Sequence, residues 1–126
     1  MSNGVTVGNV EAGVVAEDGV VNVSCTVTST VFNLPMPSTG GPWKYAEIAV
    51  GTADEIVAAV VCPQSAAAGS NPAIGSATDG NATWGKGYAR LGVSVSLTPM
   101  RPLTSSDEIR MVSVASAAVI VSIFKE

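Results

Sequence analysis

Residues 107–126 read DEIRMVSVASAAVIVSIFKE and decide the fold class of this chain. An acidic pair is followed by an apolar run over residues 109–114, a small break at residues 115–117 and a second apolar run over residues 118–124. Short apolar runs rich in Val and Ile, separated by small residues, are typical of β-strands. The pattern predicts a hairpin that closes a β domain, and it contains no reactive group.

Three further segments alternate residue by residue, as half-buried strands do. They are residues 20–28, 44–50 and 90–98, and each places a row of apolar side chains on one face. The residues predicted to face the core are Val21, Val23, Cys25 and Val27 in the first segment, Ala46, Ile48 and Val50 in the second, and Leu91, Val93, Val95 and Leu97 in the third.

Residues 56–62 are apolar at every position. A strand tolerates this only where both of its faces are covered. We expect a second sheet on one side of this strand, and either a loop or a neighbouring subunit on the other. The segment is therefore the first indication of oligomerisation.

The overall pattern predicts an all-β domain. Residues 47–61 and 108–122 follow the same pattern: an acidic residue, then a strand, a turn of small residues, and a second strand rich in Val and Ala. We interpret them as two similar hairpins. Because no helical period persists, an antiparallel β-sandwich of about seven to nine strands is predicted, with a small β-barrel as the alternative. For a chain of 126 residues we expect a single domain, at residues 11–126. Residues 1–10 are either a flexible arm that adds a strand to a neighbour or a frayed terminus.

Composition narrows the class of function. Hydrophobic residues make up 47% of the chain and charged residues only 13%, well below the usual quarter. A surface with so little charge suits burial against protein partners. The net charge is −4 and Lys and Arg do not cluster, so we expect no nucleic-acid partner, which would require a basic stripe.

No signal-peptide pattern precedes the first alternating residues, so we expect synthesis in the cytoplasm. The apolar run at residues 117–124 is far too short to cross a bilayer as a helix. We therefore expect no membrane partner for this chain.

The chain contains no His, which removes most catalytic and metal-binding arrangements. Cys25 and Cys62 lie in strand patterns and are predicted to be buried, reduced thiols, which without His form neither a zinc site nor a Cys–His nucleophile. Asp79-Gly80-Asn81 is interpreted as a turn rather than a calcium site. The acidic doublets all lie at predicted turns, where solvated carboxylates are more usual than a glycosidase pair: Glu17-Asp18, Asp54-Glu55 and Asp107-Glu108. We expect no enzyme activity and no cofactor.

Two segments are candidates for partner contact. Residues 63–83 are rich in Ser, Ala, Gly, Asn and Pro without a period, and a loop of this length is usually functional or disordered. Together with residues 4–10, it supplies the predicted contacts Val5, Val7, Val10, Ala67, Asn71 and Ile74. Trp84 and Tyr88 lie on one side of a predicted strand, where they form either core packing or an aromatic platform for sugar rings.

The chain from residue 48 onward resembles the small β-sandwich head decoration (cement) proteins of tailed bacteriophages. The resemblance is carried by the strand at residues 48–50 leading into residues 56–62, by the Gly/Ala/Ser-rich middle, and by the ending at residues 107–114 and 118–124. It implies a non-enzymatic virion protein, made in the host cytoplasm, that binds the outer surface of the capsid. The implied partner is the major capsid protein, and the implied oligomer is a homotrimer.

Such a protein would stabilise the mature capsid by mass action, because it binds only the assembled lattice. The alternative is a phage tail or fibre component that acts as a receptor- or carbohydrate-binding β module. In that alternative, Trp84 and Tyr88 would form the ligand platform.

Overall fold

The computed structural model describes residues 5–7, 10–12, 20–38, 41–67, 71–72 and 85–125. All regular structure in these ranges is β. The strands are β1 Val5–Val7, β2 Val10–Ala12, β3 Val20–Val27, β4 Phe32–Pro35, β5 Tyr45–Val50, β6 Ile56–Pro63, β7 Lys86–Arg90, β8 Val95–Leu97, β9 Asp107–Ser113 and β10 Ala117–Phe124.

Eight of these strands form two antiparallel sheets. The first sheet has the order β3-β10-β5-β8 and the second sheet the order β4-β9-β6-β7, while β1 and β2 pair separately. Consecutive strands from β3 to β10 alternate between the sheets, except that β6 and β7 are neighbours in the second sheet. This interleaved, eight-stranded order is the jelly-roll topology. The predicted β-sandwich is confirmed, and the two sheets do not close into a barrel.

The core lies between the sheets and is filled by alternate residues of each strand. The predicted inward faces of β3 and β5 are confirmed, with Cys25 only partly buried. Val57, Ala59 and Val61 of β6 join the same core from the second sheet. The largest side chains that are fully buried are Leu34, Ile48, Leu97, Leu103, Ile109, Met111 and Ile123.

The hairpin predicted for residues 107–126 is wrong. Strand β9 lies in the second sheet and β10 in the first, so residues 114–116 form an arch between the layers. Three extended residues span about 10 Å, which is the usual separation of stacked sheets. Residues 51–55 likewise connect β5 to β6 across the layers. The similarity of the two segments has a structural counterpart, because β10 pairs with β5 and β9 with β6 at the centre of each sheet.

The continuous strand predicted for residues 90–98 is also wrong. The backbone of Arg90 and Val93 exchanges two hydrogen bonds around a turn at Leu91 and Gly92, and Gly92 has φ of 84°. Glycine adopts this left-handed conformation without a steric penalty. The turn sends the chain from β7 in the second sheet to β8 in the first, so Leu91 and Val93 lie at its tip and are exposed.

The loops divide unequally between the two ends of the sandwich. The short-loop end consists of the connections at residues 28–31, 51–55, 91–94 and 114–116. The long-loop end consists of the connections at residues 36–44, 64–85 and 98–106. The strands therefore place the two sets of connections at opposite ends of one core.

Candidate interaction surfaces

The central part of the outer face of the second sheet, on β6 and β9, is buried, and we call it the covered face. Ala58, Val60 and Cys62 point away from the core, yet each is at most 1% exposed. The prediction that both faces of this strand are covered is therefore confirmed. Of the two expected covers, a loop or a subunit, the structure shows a loop beside Val60, because its cross-strand partner Arg110 is hydrogen-bonded to residues 66, 67 and 71 of the connection that follows β6.

Arg110 of β9 fastens this cover to the sheet. Its Nε donates to Glu108 Oε2 at 2.6 Å, and both side chains are less than a tenth exposed. Its Nη1 donates to Ala67 O at 3.2 Å and to Asn71 Oδ1 at 2.9 Å, and its Nη2 donates to Ala66 O at 2.9 Å. One guanidinium group thus binds both the buried carboxylate of Glu108 and the connection that follows β6. Arginine is suited to this role because its planar guanidinium carries five N–H donors in a fixed arrangement.

Asp107 provides a second attachment at the long-loop end. Its carbonyl oxygen accepts a hydrogen bond from Gln64 Nε2 at 3.2 Å, while its carboxylate accepts from both Nη atoms of Arg101 at 2.6 and 2.9 Å and from Thr104 N at 2.8 Å. Burial raises the pKa of Asp107, but the hydrogen bonds from Arg101 and Thr104 outweigh it and hold the pKa below its ordinary value. The carboxylate is therefore charged at neutral pH.

These contacts correct one expectation from the sequence. Asp107 and Glu108 were predicted to be solvated carboxylates at a turn, but both are buried in β9 and each is paired with an arginine. The doublet at Asp54 and Glu55 does lie at a turn, as predicted, whereas Glu17 and Asp18 lie outside the described residues. Glu108 thus supports the arginine that holds the cover, and the carboxylate of Asp107 holds the connection at residues 98–106.

The predicted partner contacts fall in different places. Ala67 is exposed and Asn71 half-buried, and Arg110 brings them together on the covered face. Val5 and Val7 lie in β1 and Val10 in β2, which pair as a two-stranded ribbon. Ile74 and Trp84 lie outside the described residues. Tyr88 is 41% exposed and stands beside Ala58 on the outer side of β7.

The short-loop end exposes a group of aliphatic side chains. Ile56, Leu91, Val93 and Val114 are between 44% and 72% exposed. A depression of about 470 Å³ runs between the turn at residues 53–56 and the turn at residues 90–93, and its charged lining residues are Asp54, Glu55 and Arg90. Exposed aliphatic side chains grouped at one end of a small domain make this end a candidate interaction surface.

The long-loop end has a different chemistry. Trp43 is buried, with 3% of its surface exposed, and its backbone forms an antiparallel β-bridge with Leu103. The Nζ of Lys125 lies 5.8 Å from the centre of its indole ring. A cleft of about 390 Å³ beside it is lined by Pro42, Pro99 and Pro102 together with Lys44, Met100, Arg101 and Lys125. The sequence analysis did not predict a role for Trp43. It follows a Pro- and Gly-rich segment, residues 35–42, whose sequence does not indicate that the next side chain is buried in the core.

The two thiols are free and do not face each other. Cys25 packs against the core from the first sheet, whereas Cys62 lies on the outer side of the second sheet. Burial raises the pKa of each thiol to about 11, so neither is a thiolate nucleophile at neutral pH. Within the described ranges no three His, Cys, Asp or Glu side chains are grouped to hold a metal ion, and no helix is long and apolar enough to cross a membrane.

Comparisons of this chain with protein-family models, with curated proteins and with solved structures give no match. The jelly-roll topology itself occurs in viral capsid domains, in lectins and in cupins. A fold shared by such different proteins does not determine what any one of them does. Function has to be inferred from the surfaces of the molecule.

Proposed function

We propose that this protein is a non-enzymatic virion protein that binds the outer surface of a phage capsid and stabilises it as a decoration protein. Its partner is the major capsid protein, and its working form is a homo-oligomer, for which a trimer is favoured. The observation that carries the proposal is the fixed cover: Ala67, one of the predicted contact residues, is held in an exposed position on a rigid sandwich by Arg110.

A fixed surface suits binding to a lattice. Backbone that is already held by hydrogen bonds, as at residues 66 and 67, loses little conformational entropy when it binds, so more of its contact energy becomes affinity. The low charge of the chain also reduces the desolvation cost of burying a large surface. The resemblance to phage decoration proteins and the jelly-roll topology support the same proposal by analogy.

The test is binding to heads. Purified protein is mixed with expanded, undecorated heads assembled from the major capsid protein of the phage that encodes it, and the heads are sedimented. Saturable co-sedimentation is expected, and Ala67→Arg should weaken it about tenfold or more, since a new charge would be buried at the contact. The matched control is Ser24→Arg, on the exposed outer face of the first sheet, which should bind as the unaltered protein does. No co-sedimentation would refute the proposal.

The alternative is a carbohydrate-binding module of a phage tail or fibre, and one observation favours it. Tyr88 is 41% exposed on the outer side of β7, and a sugar-stacking aromatic residue must be accessible in this way. Saturable binding to a glycan by isothermal titration calorimetry, lost in Tyr88→Ser and retained in Ser24→Arg, would support this function in place of capsid decoration. Unaltered glycan binding by Tyr88→Ser would rule out Tyr88 as the sugar-binding residue and remove the support for this alternative function.

A further inference from the structure

The cleft beside Trp43, at the long-loop end, combines apolar walls with a concentration of positive charge. Its apolar walls include three prolines and Met100, and its charged residues are Lys44, Arg101 and Lys125. These are three of the chain's six Lys and Arg residues, although the chain has a net charge of −4. No described residue that lines the cleft is acidic. The cleft is therefore a positively charged site on an acidic protein.

Contacts within the chain position two of these cations. The guanidinium of Arg101 donates to the carboxylate of Asp107 at 2.6 and 2.9 Å, and Asp107 is buried and is not part of the cleft lining. The Nζ of Lys125 lies 5.8 Å from the centre of the Trp43 ring, within the range of a cation–π attraction. Side chains that are already positioned lose less entropy when a ligand binds.

Lys44 and Lys125 are neighbours that carry the same charge. They adjoin Tyr45 and Phe124, which are paired across β5 and β10, and Lys44 N donates to Phe124 O at 2.7 Å. Both lysines are exposed, and neither forms an ion pair with any described residue. Like charges that are held close together repel each other. A carboxylate bound between the two ammonium groups would replace this repulsion with attraction.

The shape of the cleft favours a segment of polypeptide as the source of that carboxylate. A pocket for a small molecule encloses most of its ligand, but this cleft is open, because Met100 is 83% exposed and both lysines are exposed. A nucleic acid binds through many phosphates, whereas the cleft offers three cations, of which Arg101 is already paired. Its prolines present apolar surface without backbone N–H groups that need partners, which suits the apolar side chains of an extended segment.

We propose that the long-loop end binds an acidic, partly apolar segment of a partner protein. Carboxylates of that segment pair with Lys44 and Lys125, and its apolar side chains pack on Met100 and the prolines. Recognition of acidic motifs by groups of basic side chains is a recurring mode of peptide binding. The cleft shares no lining residue with the contacts that Arg110 makes on the covered face. The inference therefore goes beyond the capsid contact proposed at Ala67, and the two can fail separately.

The test measures binding of fluorescein-labelled peptide pools by fluorescence anisotropy, with protein up to about 1 mM so that weak contacts are populated. One pool contains Glu, Leu and Pro in random order, and two matched pools carry Gln or Lys in place of Glu. The Glu pool should bind saturably, at least about tenfold more tightly than the Gln pool, and more weakly as salt is added. The Lys pool should not bind, because like charges would then meet in the cleft.

Variants of the protein locate the binding in the cleft. Lys44→Glu and Lys125→Glu should each weaken binding of the Glu pool about fivefold or more, since a repulsive charge replaces an attractive one. Arg90→Glu makes the same change of charge at an exposed position of the short-loop end and should bind as the unaltered protein does. Met100→Ser removes apolar contact without changing the charge, at a side chain too exposed to support the fold, and should also weaken binding.

Four results would each overturn the proposal. They are the absence of saturable binding by the Glu pool, equal binding of the Glu and Gln pools, unaltered binding by both lysine variants, and binding of a single-stranded oligonucleotide as tight as that of the Glu pool. Sedimentation equilibrium without peptide tests one further occupant. Association of the protein alone that is lost in Lys44→Glu would place a second copy in the cleft and would overturn the proposal too.

Discussion

The two outer faces of this sandwich differ in what lies over them. On the covered face of the second sheet, Arg110 binds residues 66, 67 and 71 of the same chain. The outer face of the first sheet, which we call the open face, carries Asn22, Ser24, Thr26, Ala49, Ala118 and Ile120, all exposed to solvent. The burial of the strands shows the difference: residues 57–62 of β6 are all buried, whereas in β10 buried residues alternate with exposed or half-buried ones.

Covering a sheet with a loop creates a problem that covering it with another sheet does not. Loop carbonyls lack the regular partners of a strand, and each one buried without a donor costs free energy. Arg110 solves this problem by donating to Ala66 O and Ala67 O from a position on the sheet itself. The charge that this requires is balanced by Glu108, so the covered face contains a buried ion pair.

Arg110→Met should have the largest effect of any substitution that distinguishes the two faces. It removes the cation while leaving Glu108 buried, a situation that costs about 3–5 kcal/mol. Urea denaturation should show a loss of that size, and hydrogen exchange should show faster exchange in residues 64–67. The double variant Arg110→Met with Glu108→Leu should lose less, because no unpaired charge remains. A loss below about 1 kcal/mol in the single variant would contradict the role of Arg110.

The attachment at Asp107 should make stability depend on acid pH. The folded-state pKa of Asp107 lies below its ordinary value, so its contribution is present above the unfolded pKa of about 4 and is lost as pH falls through the folded pKa. Urea denaturation of the unaltered protein between about pH 6 and about pH 2 should show this loss. In Asp107→Asn, the loss of a charged acceptor should cost about 1–3 kcal/mol at neutral pH and reduce the acid dependence.

Arg101→Met gives the matched test of the same attachment. Without the guanidinium, the hydrogen bond that lowers the pKa of Asp107 is gone, and burial raises that pKa. Because the group then becomes protonated at a higher pH, the acid-induced loss of stability should begin at a higher pH. An unchanged pH dependence in this variant would show that Arg101 does not stabilise the carboxylate.

The strands of the core could be predicted from the sequence because their signal is local. The alternation of residues 20–28 and 44–50 and the apolar run at residues 56–62 correspond to β3, β5 and β6. The partners of those strands are set by contacts far along the chain. Two strands joined by residues 114–116 give the same local pattern whether they form a hairpin or an arch, so the prediction of a hairpin failed.

The site could be predicted only in part, for a similar reason. Residues 66, 67 and 71, which Arg110 contacts, lie between 39 and 44 positions away in a segment without a period. The only local signal was a charged residue within an apolar strand, which indicates a buried partner without saying where it is. The exposed Leu91 and Val93 were predicted as core, because alternation does not reveal a turn that Gly92 permits.

The smallest expected change in the free energy of unfolding comes from shortening one aliphatic side chain on each outer face. Val60 is fully buried on the covered face and Ile120 is 51% exposed on the open face. Val60→Ala should lower the free energy of unfolding by about 2 kcal/mol, since two buried methyl groups are lost. Ile120→Ala removes more carbon but about half of that surface is already in water, so a loss of about 1 kcal/mol or less is expected by urea denaturation. A loss at Ile120 as large as the loss at Val60 at every protein concentration would show that the open face is also covered within one molecule, whereas a loss at Ile120 that grows with concentration would place a second copy on it.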